Sequence, residues 1–281
     1  MKRILTLLAA MALCASLVVP AFAGKGKVRI AYVEWDCAVA STNVVRAVLQ
    51  EKMGYDVEIL PVAAAAMWQA TASGDVDGFV TAWLPVTHAD YLAKMEGKVE
   101  DLGPITGGAR LGWAVPTYVT IDSIEELNSV KDKFQGRIIG IDPGAGIMRL
   151  SEDVIEQYGL DYTLMEGSGA TMTAALQSAI KNNEWVAVTG WSPHWMFGKW
   201  DLKYLEDPKG VLGGEESIHT IVRTGLKDDM PEVYNFLNNF SYTDTNQLQS
   251  IMAWNQDGGT PYENAVRFIN ENPEQVEGWL K

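Results

Sequence analysis

Short hydrophobic runs, separated by segments in which hydrophobic residues recur roughly every three to four positions, predict alternating strands and helices. The predicted strands are 27–35, 55–62, 76–83, 111–119, 137–142, 161–167, 185–190 and 218–225. The predicted helices are 41–54, 66–74, 123–134, 143–159 with an initial loop, 171–183, and a carboxy-terminal group over 230–240, 245–258 and 260–281. This alternation is typical of α/β proteins with parallel sheets, which bind ligands outside the carboxyl ends of their strands.

The segment TGWSPHWMFGKW concentrates three tryptophans in a short stretch. Proline is tolerated only in the first turn of a helix. We therefore predict a helix that begins at Pro193 or one residue before it and contains Trp195 and Trp200. Trp191 is then left outside this helix, in a turn directly after a predicted strand.

Trp35, Trp83 and Trp191 each fall at the carboxyl end of a predicted strand. In a parallel sheet these ends lie at one edge, so the three indoles can converge on one crevice. Packed aromatic walls bind sugars by stacking, or quaternary ammonium groups by cation–π attraction. The alternative is that each is an ordinary tryptophan packed under a loop.

The stretch IDPGAGIMRL predicts an anion site beside this crevice. A strand leads into a glycine-rich turn and then a helix, whose first backbone N–H groups and positive dipole end face the opening. The stretch lacks the lysine of a P-loop and the spacing of a dinucleotide fingerprint, which disfavours nucleotide binding. His88, five residues after Trp83 in AWLPVTH, can reach the same opening. Beside an aromatic cage, these groups indicate a small zwitterion.

Residues 1–23 have a basic start, an apolar stretch and an Ala-Phe-Ala end, which are the three parts of a secretory signal peptide. We therefore expect cleavage after Ala23 and a free periplasmic protein. A retained membrane anchor is the alternative. A lipid-modified Cys14 is disfavoured because the bulky Leu13 precedes it. No later segment is long and apolar enough to span a bilayer.

The formal net charge is −14, and loss of Lys2 and Arg3 with the leader lowers it to about −16. This excess of acidic residues disfavours nucleic acid or an anionic membrane surface as a partner. After cleavage Cys37 has no second cysteine to pair with, and we expect it to be a small buried residue rather than a nucleophile. The acidic runs GGEES and KDDMPE are interpreted as solvated surface.

The sequence contains no Cys/His cluster with metal-ligand spacing and no HExxH or GxSxG motif, so we expect no metal, no cofactor and no enzyme activity. Two other classes stay open. A sugar-binding protein would stack pyranose rings on the same indoles, but it needs more hydroxyl-binding side chains at the strand ends. A secreted hydrolase would use Asp36, His88 or Asp142.

Five motifs together resemble the substrate-binding proteins of glycine betaine ABC importers: EWD followed by ASTNV, then AWLPVTH, IDPGAGIM, GWSPHWMF and DLKYLEDPKG. The resemblance covers essentially the whole chain after the leader. It implies an α/β fold of the two-lobed periplasmic binding protein type (type II-like), with a mostly parallel sheet flanked by helices in each lobe. Two crossing strands, LGWAVP and TIVRTG, would join lobe 1 (24–113 plus 223–281) to lobe 2 (114–222).

The resemblance also implies a ligand site. An aromatic prism around a cation maps onto three tryptophans, and the carboxylate contacts map onto two backbone amides and a histidine. These residues are Trp35, Trp83, Trp191, Gly146, Ile147 and His88. Cys37 departs from the family pattern, in which a small hydroxyl or acidic residue is expected at this position beside Trp35.

The implied ligand is glycine betaine or a related quaternary ammonium zwitterion, while choline, carnitine and other methylated solutes stay open. The implied protein partners are the membrane permease subunits of an ABC importer. We expect a monomer that binds no nucleic acid.

Overall fold

The computed structural model of the protein describes residues 25–281. The predicted leader, its cleavage point after Ala23, and Cys14 lie outside the described residues. Strands β1 to β9 run over Lys27–Tyr32, Asp56–Pro61, Gly78–Leu84, Val99–Pro116, Arg137–Ile139, Thr163–Met165, Val188–Ser192, Leu202–Tyr204 and Glu215–Arg223. Helices α1 to α11 run over Asp36–Ala47, Ala64–Ser73, Ala89–Lys94, Gly146–Gln157, Gly169–Asn182, Met196–Lys199, Leu226–Asp229, Pro231–Asn239, Thr245–Asp257, Pro261–Glu271 and Pro273–Trp279. A π-helical turn, Val48–Lys52, extends α1, and a 3₁₀ segment, Ile124–Phe134, precedes β5.

The described strands form one sheet in the order β2-β1-β3-β9-β4-β7-β5-β6, and β8 pairs with β4. Its two outer parts are parallel: β1 pairs with β2 and β3, and β5 pairs with β6 and β7. The middle of the sheet, where β9 and β4 lie, is antiparallel. The crossover connections between parallel strands carry helices, as the alternating pattern predicts for an α/β protein.

Strand β4 belongs to both parts of the sheet. Residues 99–110 pair with β9, and residues 110–116 pair with β7 and β8. The first part was not predicted from the sequence, because VEDLGPITGGAR is polar and contains glycine and proline. The structure accommodates these residues through three shifts in the pairing with β9, and Gly103 and Gly108 adopt positive φ values of 97° and 68°.

Strand β4 passes from one part of the sheet to the other at Arg110, which pairs with both Glu215 and Ser192. Residues 218–222 pair with β3, so they lie beside strands of the predicted lobe 1, although the sequence analysis placed them in lobe 2. The lobe limits stay a prediction. The strand pairings favour a passage near residue 110 on β4 and near residue 215 on β9.

The tryptophan-rich segment differs from its prediction. Strand β7 continues through Ser192, and Trp191 pairs with Leu111 of β4. The predicted helix start at Pro193 is therefore wrong, because the sheet pairing keeps the backbone before Pro193 extended. Helix α6 is only Met196–Lys199; Trp195 directly precedes it and Trp200 directly follows it.

An aromatic cluster packs around β3 and the turn that follows it. Trp68 and Phe79 are fully buried and meet edge to face at 4.9 Å between ring centroids. The Trp68 ring also stacks on Tyr91 at 6.0 Å and meets the edge of His88 at 6.1 Å. Close packing of this kind fixes side-chain rotamers. The ring of His88 thus packs against Trp68 of α2 and Tyr91 of α3.

Candidate functional site

A small pocket lies between the two parts of the sheet. All six residues that the sequence analysis proposed for ligand binding line it. The complete lining is Trp35, Cys37, Trp83, Thr87, His88, Leu111, Ile141, Ala145, Gly146, Ile147 and Trp191. The structure therefore brings together side chains from residues 35 to 191, although their ligand contacts stay a prediction.

The three tryptophans come from three separate elements. Trp35 follows β1 at the N-cap position of α1, Trp83 lies near the end of β3, and Trp191 lies near the end of β7. They are only 6%, 3% and 4% exposed. Three indoles this well shielded from water line one pocket, and a cation–π contact is stronger in such a desolvated setting than at a protein surface.

The Trp35 ring is held on two sides. Its Nε1 donates a hydrogen bond to Asp142 Oδ2 at 2.7 Å. Its face stacks on His88, with ring centroids 5.7 Å apart and 19° between the planes. Hydrogen bonds to a carboxylate are shorter and stronger than neutral ones, so Asp142 gives this indole a defined orientation.

His88 is fully buried and oriented by a backbone hydrogen bond. Its Nδ1 accepts from the Trp83 N–H at 2.9 Å. Burial, and secondarily the positive charge of Arg149, lowers the pKa of His88 to about 3. The neutral ring therefore carries its proton on Nε2. This buried Nε2 has no hydrogen-bond partner among residues 25–281, so it is a donor available to a ligand in the pocket.

The first turn of α4, which begins at Gly146, forms another part of the pocket lining beside Thr87 and His88. The preceding Ala145 offers no side-chain cap, so the first backbone N–H groups of the helix stay available. A Cβ on Gly146 would lie 2.4 Å from the Thr87 carbonyl oxygen, inside van der Waals contact. Glycine at this position lets the helix end approach the Thr87–His88 turn closely.

Cys37 is the second residue of α1 and lines the pocket while only 3% exposed. Burial, reinforced by the negative charge of Asp36, raises the pKa of its thiol to about 12. The Trp191 indole N–H lies close enough to lower this pKa in part, but it has no hydrogen-bond partner of standard geometry among residues 25–281. The thiol therefore stays protonated and is a small apolar part of the pocket lining rather than a nucleophile.

Glu216 corrects the interpretation of GGEES as solvated surface, because it is only 2% exposed. Its carboxylate accepts hydrogen bonds from Val86 N at 2.7 Å and Thr87 N at 2.9 Å, and also from Thr87 Oγ1. It thereby fixes the turn that precedes His88. Composition alone did not distinguish this acid from its solvated neighbours.

Leu111, Ile141 and Ala145 also line the pocket and were not singled out from the sequence. Ile141 and Ala145 belong to the glycine-rich stretch IDPGAGIMRL, which is the signal that could have found them, whereas Leu111 is placed by its pairing with Trp191. Among residues 25–281, no group of three or more His, Cys, Asp or Glu side chains could hold a metal ion.

Residues 26–271 match the family described as the substrate binding domain of ABC-type glycine betaine transport systems. A curated relative is the glycine betaine/carnitine transport binding protein GbuC of Listeria monocytogenes serotype 1/2a (strain 10403S), 48% identical over 145 residues. That alignment covers 50% of this chain and 48% of the relative, so the chain spans about half the length of the curated relative that it matches.

Solved structures match over nearly the whole chain. Lactococcal OpuAC in its closed, glycine betaine-bound form is 43% identical with a TM-score of 0.87, covering 91% of this chain and 100% of that one. ProX from Borrelia burgdorferi is 41% identical with a TM-score of 0.87, covering 91% and 97%. A choline-binding protein in complex with choline is 28% identical with a TM-score of 0.84, covering 90% and 91%.

These matches confirm the predicted two-lobed α/β fold of a substrate-binding protein. The matched family segment contains every residue that lines the pocket. The chain belongs to the family of substrate-binding domains of ABC-type glycine betaine transport systems.

Proposed function

We propose that the protein captures glycine betaine outside the cytoplasmic membrane and delivers it to the permease subunits of an ABC importer. One observation carries this proposal: three buried indoles and the free Nε2 donor of the neutral His88 face the same pocket. The indoles suit a quaternary ammonium group, and the donor suits a carboxylate. Glycine betaine carries both groups on a short molecule.

At the cation end, Trp35, Trp83 and Trp191 would surround the ammonium group. A desolvated cation–π contact contributes up to about 2 kcal/mol per ring face. This attraction requires no ion pair, so it suits a permanently charged methylated cation that cannot donate hydrogen bonds.

At the anion end, the His88 Nε2–H and the backbone N–H groups of Gly146 and Ile147 would donate to the carboxylate. The positive end of the α4 dipole adds to this attraction. Choline has the same cationic head group but a hydroxyl in place of the carboxylate. We therefore infer that glycine betaine binds more tightly than choline, although a relative at 28% identity binds choline.

Two other classes fit the pocket less well. A sugar would need several hydroxyl partners, but the polar side chains of the lining are few: Cys37, Thr87 and His88 beside the indoles. A hydrolase would need an activated nucleophile or a histidine paired with a carboxylate. Instead His88 is bonded to a backbone N–H and the Cys37 thiol stays protonated. We infer that the protein binds its ligand and carries out no reaction.

A ligand held between the Trp83 side and the Trp191 side touches both lobes, so it favours the closed form over the open form. We propose lobes near the predicted limits of 24–113 plus 223–281 and 114–222, which close as a monomer over the ligand. We also propose a periplasmic location after cleavage of residues 1–23. Within residues 25–281, no helix is long and apolar enough to cross a bilayer.

The test is calorimetric titration of the protein, processed at Ala23, with glycine betaine, proline betaine, carnitine, choline and a neutral sugar. The proposal expects glycine betaine to bind at least about tenfold more tightly than choline, a difference of ~1.4 kcal/mol, and expects no binding of the sugar. Choline binding as tightly as glycine betaine would remove the case for an anion end. Mass spectrometry of glycine betaine after long incubation should recover it unchanged.

A further inference from the structure

Two carboxylates outside the pocket lining contact residues of the other lobe: Asp142 contacts Trp35, and Asp36 contacts His194, which packs on Trp191. Asp142 lies between β5 and α4 in lobe 2, and it accepts the hydrogen bond from Trp35 of lobe 1 at 2.7 Å. The two residues are 107 positions apart in the chain. This contact joins the lobes at the cage itself rather than at its rim.

Trp191 of lobe 2 is linked to Asp36 of lobe 1 through His194. The ring of His194 meets Trp191 edge to face, with centroids 4.5 Å apart and 89° between the planes. His194 is fully buried, and its Nδ1 accepts from Met196 N at 3.2 Å, which leaves the proton on Nε2. That Nε2 lies 3.2 Å from Asp36 Oδ2 of lobe 1, although it is not aligned as a hydrogen bond.

We propose that Asp142 and Asp36 are positioning residues for the cage, each holding the tryptophan wall of the opposite lobe. Asp142 acts directly on the Trp35 N–H, and Asp36 acts through His194 on Trp191. This inference rests on the proposed function, because the walls matter only if they surround the ligand.

The consequence is a coupling between closure and cage geometry. Both carboxylate contacts span the cleft, so they form only when the lobes come together. In the open form Trp35 loses its acceptor and His194 loses its anionic neighbour, and both indole walls gain rotational freedom. A hydrogen bond to a carboxylate also polarises the indole, which makes its ring face more attractive to a cation.

The Asp142 part is tested with a double-mutant cycle of Asp142→Ala and Trp35→Phe, with glycine betaine affinity measured by calorimetry. Phenylalanine keeps an aromatic face but has no N–H. We expect Asp142→Ala to weaken binding by about tenfold in the wild-type background and by less than about twofold in the Trp35→Phe background. Equal losses in both backgrounds would overturn the proposal.

The variant Asp142→Asn separates orientation from charge. An amide oxygen still accepts from the indole N–H, so we expect this variant to recover most of the affinity lost in Asp142→Ala. The remaining losses should lie in the dissociation rate, measured by stopped-flow tryptophan fluorescence. If Asp142→Asn binds as weakly as Asp142→Ala, or if only the association rate falls, Asp142 acts as a distant charge and the proposal is wrong.

The Asp36 part has a matched control. Asp90 is a carboxylate that also spans the cleft, 3.3 Å from Arg149 Nε, but its side chain is 62% exposed against 26% for Asp36, and its partner is an arginine. We expect Asp36→Ala to raise the dissociation rate by about fivefold or more and Asp90→Ala to change it by less than about twofold. Equal effects would show a general role of cleft charges and would overturn the proposal for Asp36.

The two proposals fail in different ways. If the wild-type protein does not bind glycine betaine, or if Trp191→Ala binds it normally, the proposed function is wrong and this inference falls with it. If the wild type binds and Trp191→Ala does not, an additive Asp142–Trp35 cycle removes only this inference.

Discussion

The substitution His88→Asn isolates the hydrogen bond proposed at the carboxylate end of the ligand. His88 Nδ1 accepts a hydrogen bond from the Trp83 N–H at 2.9 Å. An asparagine amide oxygen can take over this acceptor position. The shorter side chain does not extend to the position of Nε2. The variant therefore removes the donor that faces the pocket while it keeps the bond that supports the local fold.

The expected loss follows from the kind of bond removed. A hydrogen bond to a charged group contributes about 1.5 to 3 kcal/mol. At ~1.4 kcal/mol per tenfold change, the affinity for glycine betaine should fall by roughly tenfold to 140-fold. Choline shares the cationic head group but has no carboxylate, so its affinity should stay within about twofold of the wild type.

Calorimetric titration of both ligands against both proteins measures this difference, and thermal unfolding without ligand checks that the variant is folded. Equal losses for the two ligands would refute the reasoning, because His88 would then support the cage wall or the fold and not the carboxylate. His88→Gln is a useful second variant, since its amide N–H can approach the Nε2 position and should restore part of the affinity for glycine betaine alone.

The pH dependence of binding gives a further check on His88. Burial lowers its pKa to about 3, so the ring is neutral and keeps its Nε2 donor at pH values well above 3. The affinity for glycine betaine should therefore stay flat between about pH 5 and 8. A steep change centred near pH 6.5 would contradict the assignment of a neutral donor.

Four other predictions follow from the structure. Replacing Trp83 or Trp191 by Ala should weaken glycine betaine binding by about tenfold or more, whereas Phe at the same positions should cost less because a ring face remains; calorimetry decides. Gly146→Ala should weaken binding by at least about tenfold while unfolding of the free protein changes little, because the added Cβ meets the Thr87 carbonyl only when the lobes close; titration and thermal melts test both parts. The pKa of His88 is lower in the folded than in the unfolded protein. The free energy of unfolding should therefore fall as the pH drops from about 6.5 towards 3, by up to ~1.4 kcal/mol per pH unit. Urea titrations of His88→Asn should lack this pH-dependent component. Amino-terminal sequencing of the soluble osmotic-shock fraction should give Gly24 as the first residue, and a lipid-modified amino terminus at Cys14 would contradict that expectation.

Most of the architecture was predictable because its strands are short and strongly hydrophobic. The fully buried β3 is a continuous apolar run, and the glycine-rich turn before α4 has a recognisable composition. Placing Trp35, Trp83 and Trp191 at strand ends was enough to predict that they lie at one crevice, and the three residues line one pocket. Local pattern and the general geometry of parallel sheets carry that information.

The features that were missed depend on partners far away in the chain. The first part of β4 is polar and glycine-containing, and it is a strand only because β9 pairs with it. Glu216 is buried because the backbone of the turn at Val86 and Thr87 satisfies its carboxylate. The contact between Trp35 and Asp142 joins the two lobes, and spacing along the sequence contains no signal for it.

The contacts of Glu216 stabilise the part of the site formed by Trp83 and His88, and they do not depend on a bound ligand. Glu216 pairs with Ala109, one residue from the point where β4 leaves lobe 1, and its carboxylate also fixes the turn that leads into His88. Trp83 holds the His88 ring through the same short segment. We therefore expect lobe 1 to keep the Trp83 indole and the His88 donor in place relative to each other when the lobes move apart. We therefore expect a ligand that enters the open protein to bind this preorganised surface first, and the contacts between the lobes to set how long it stays.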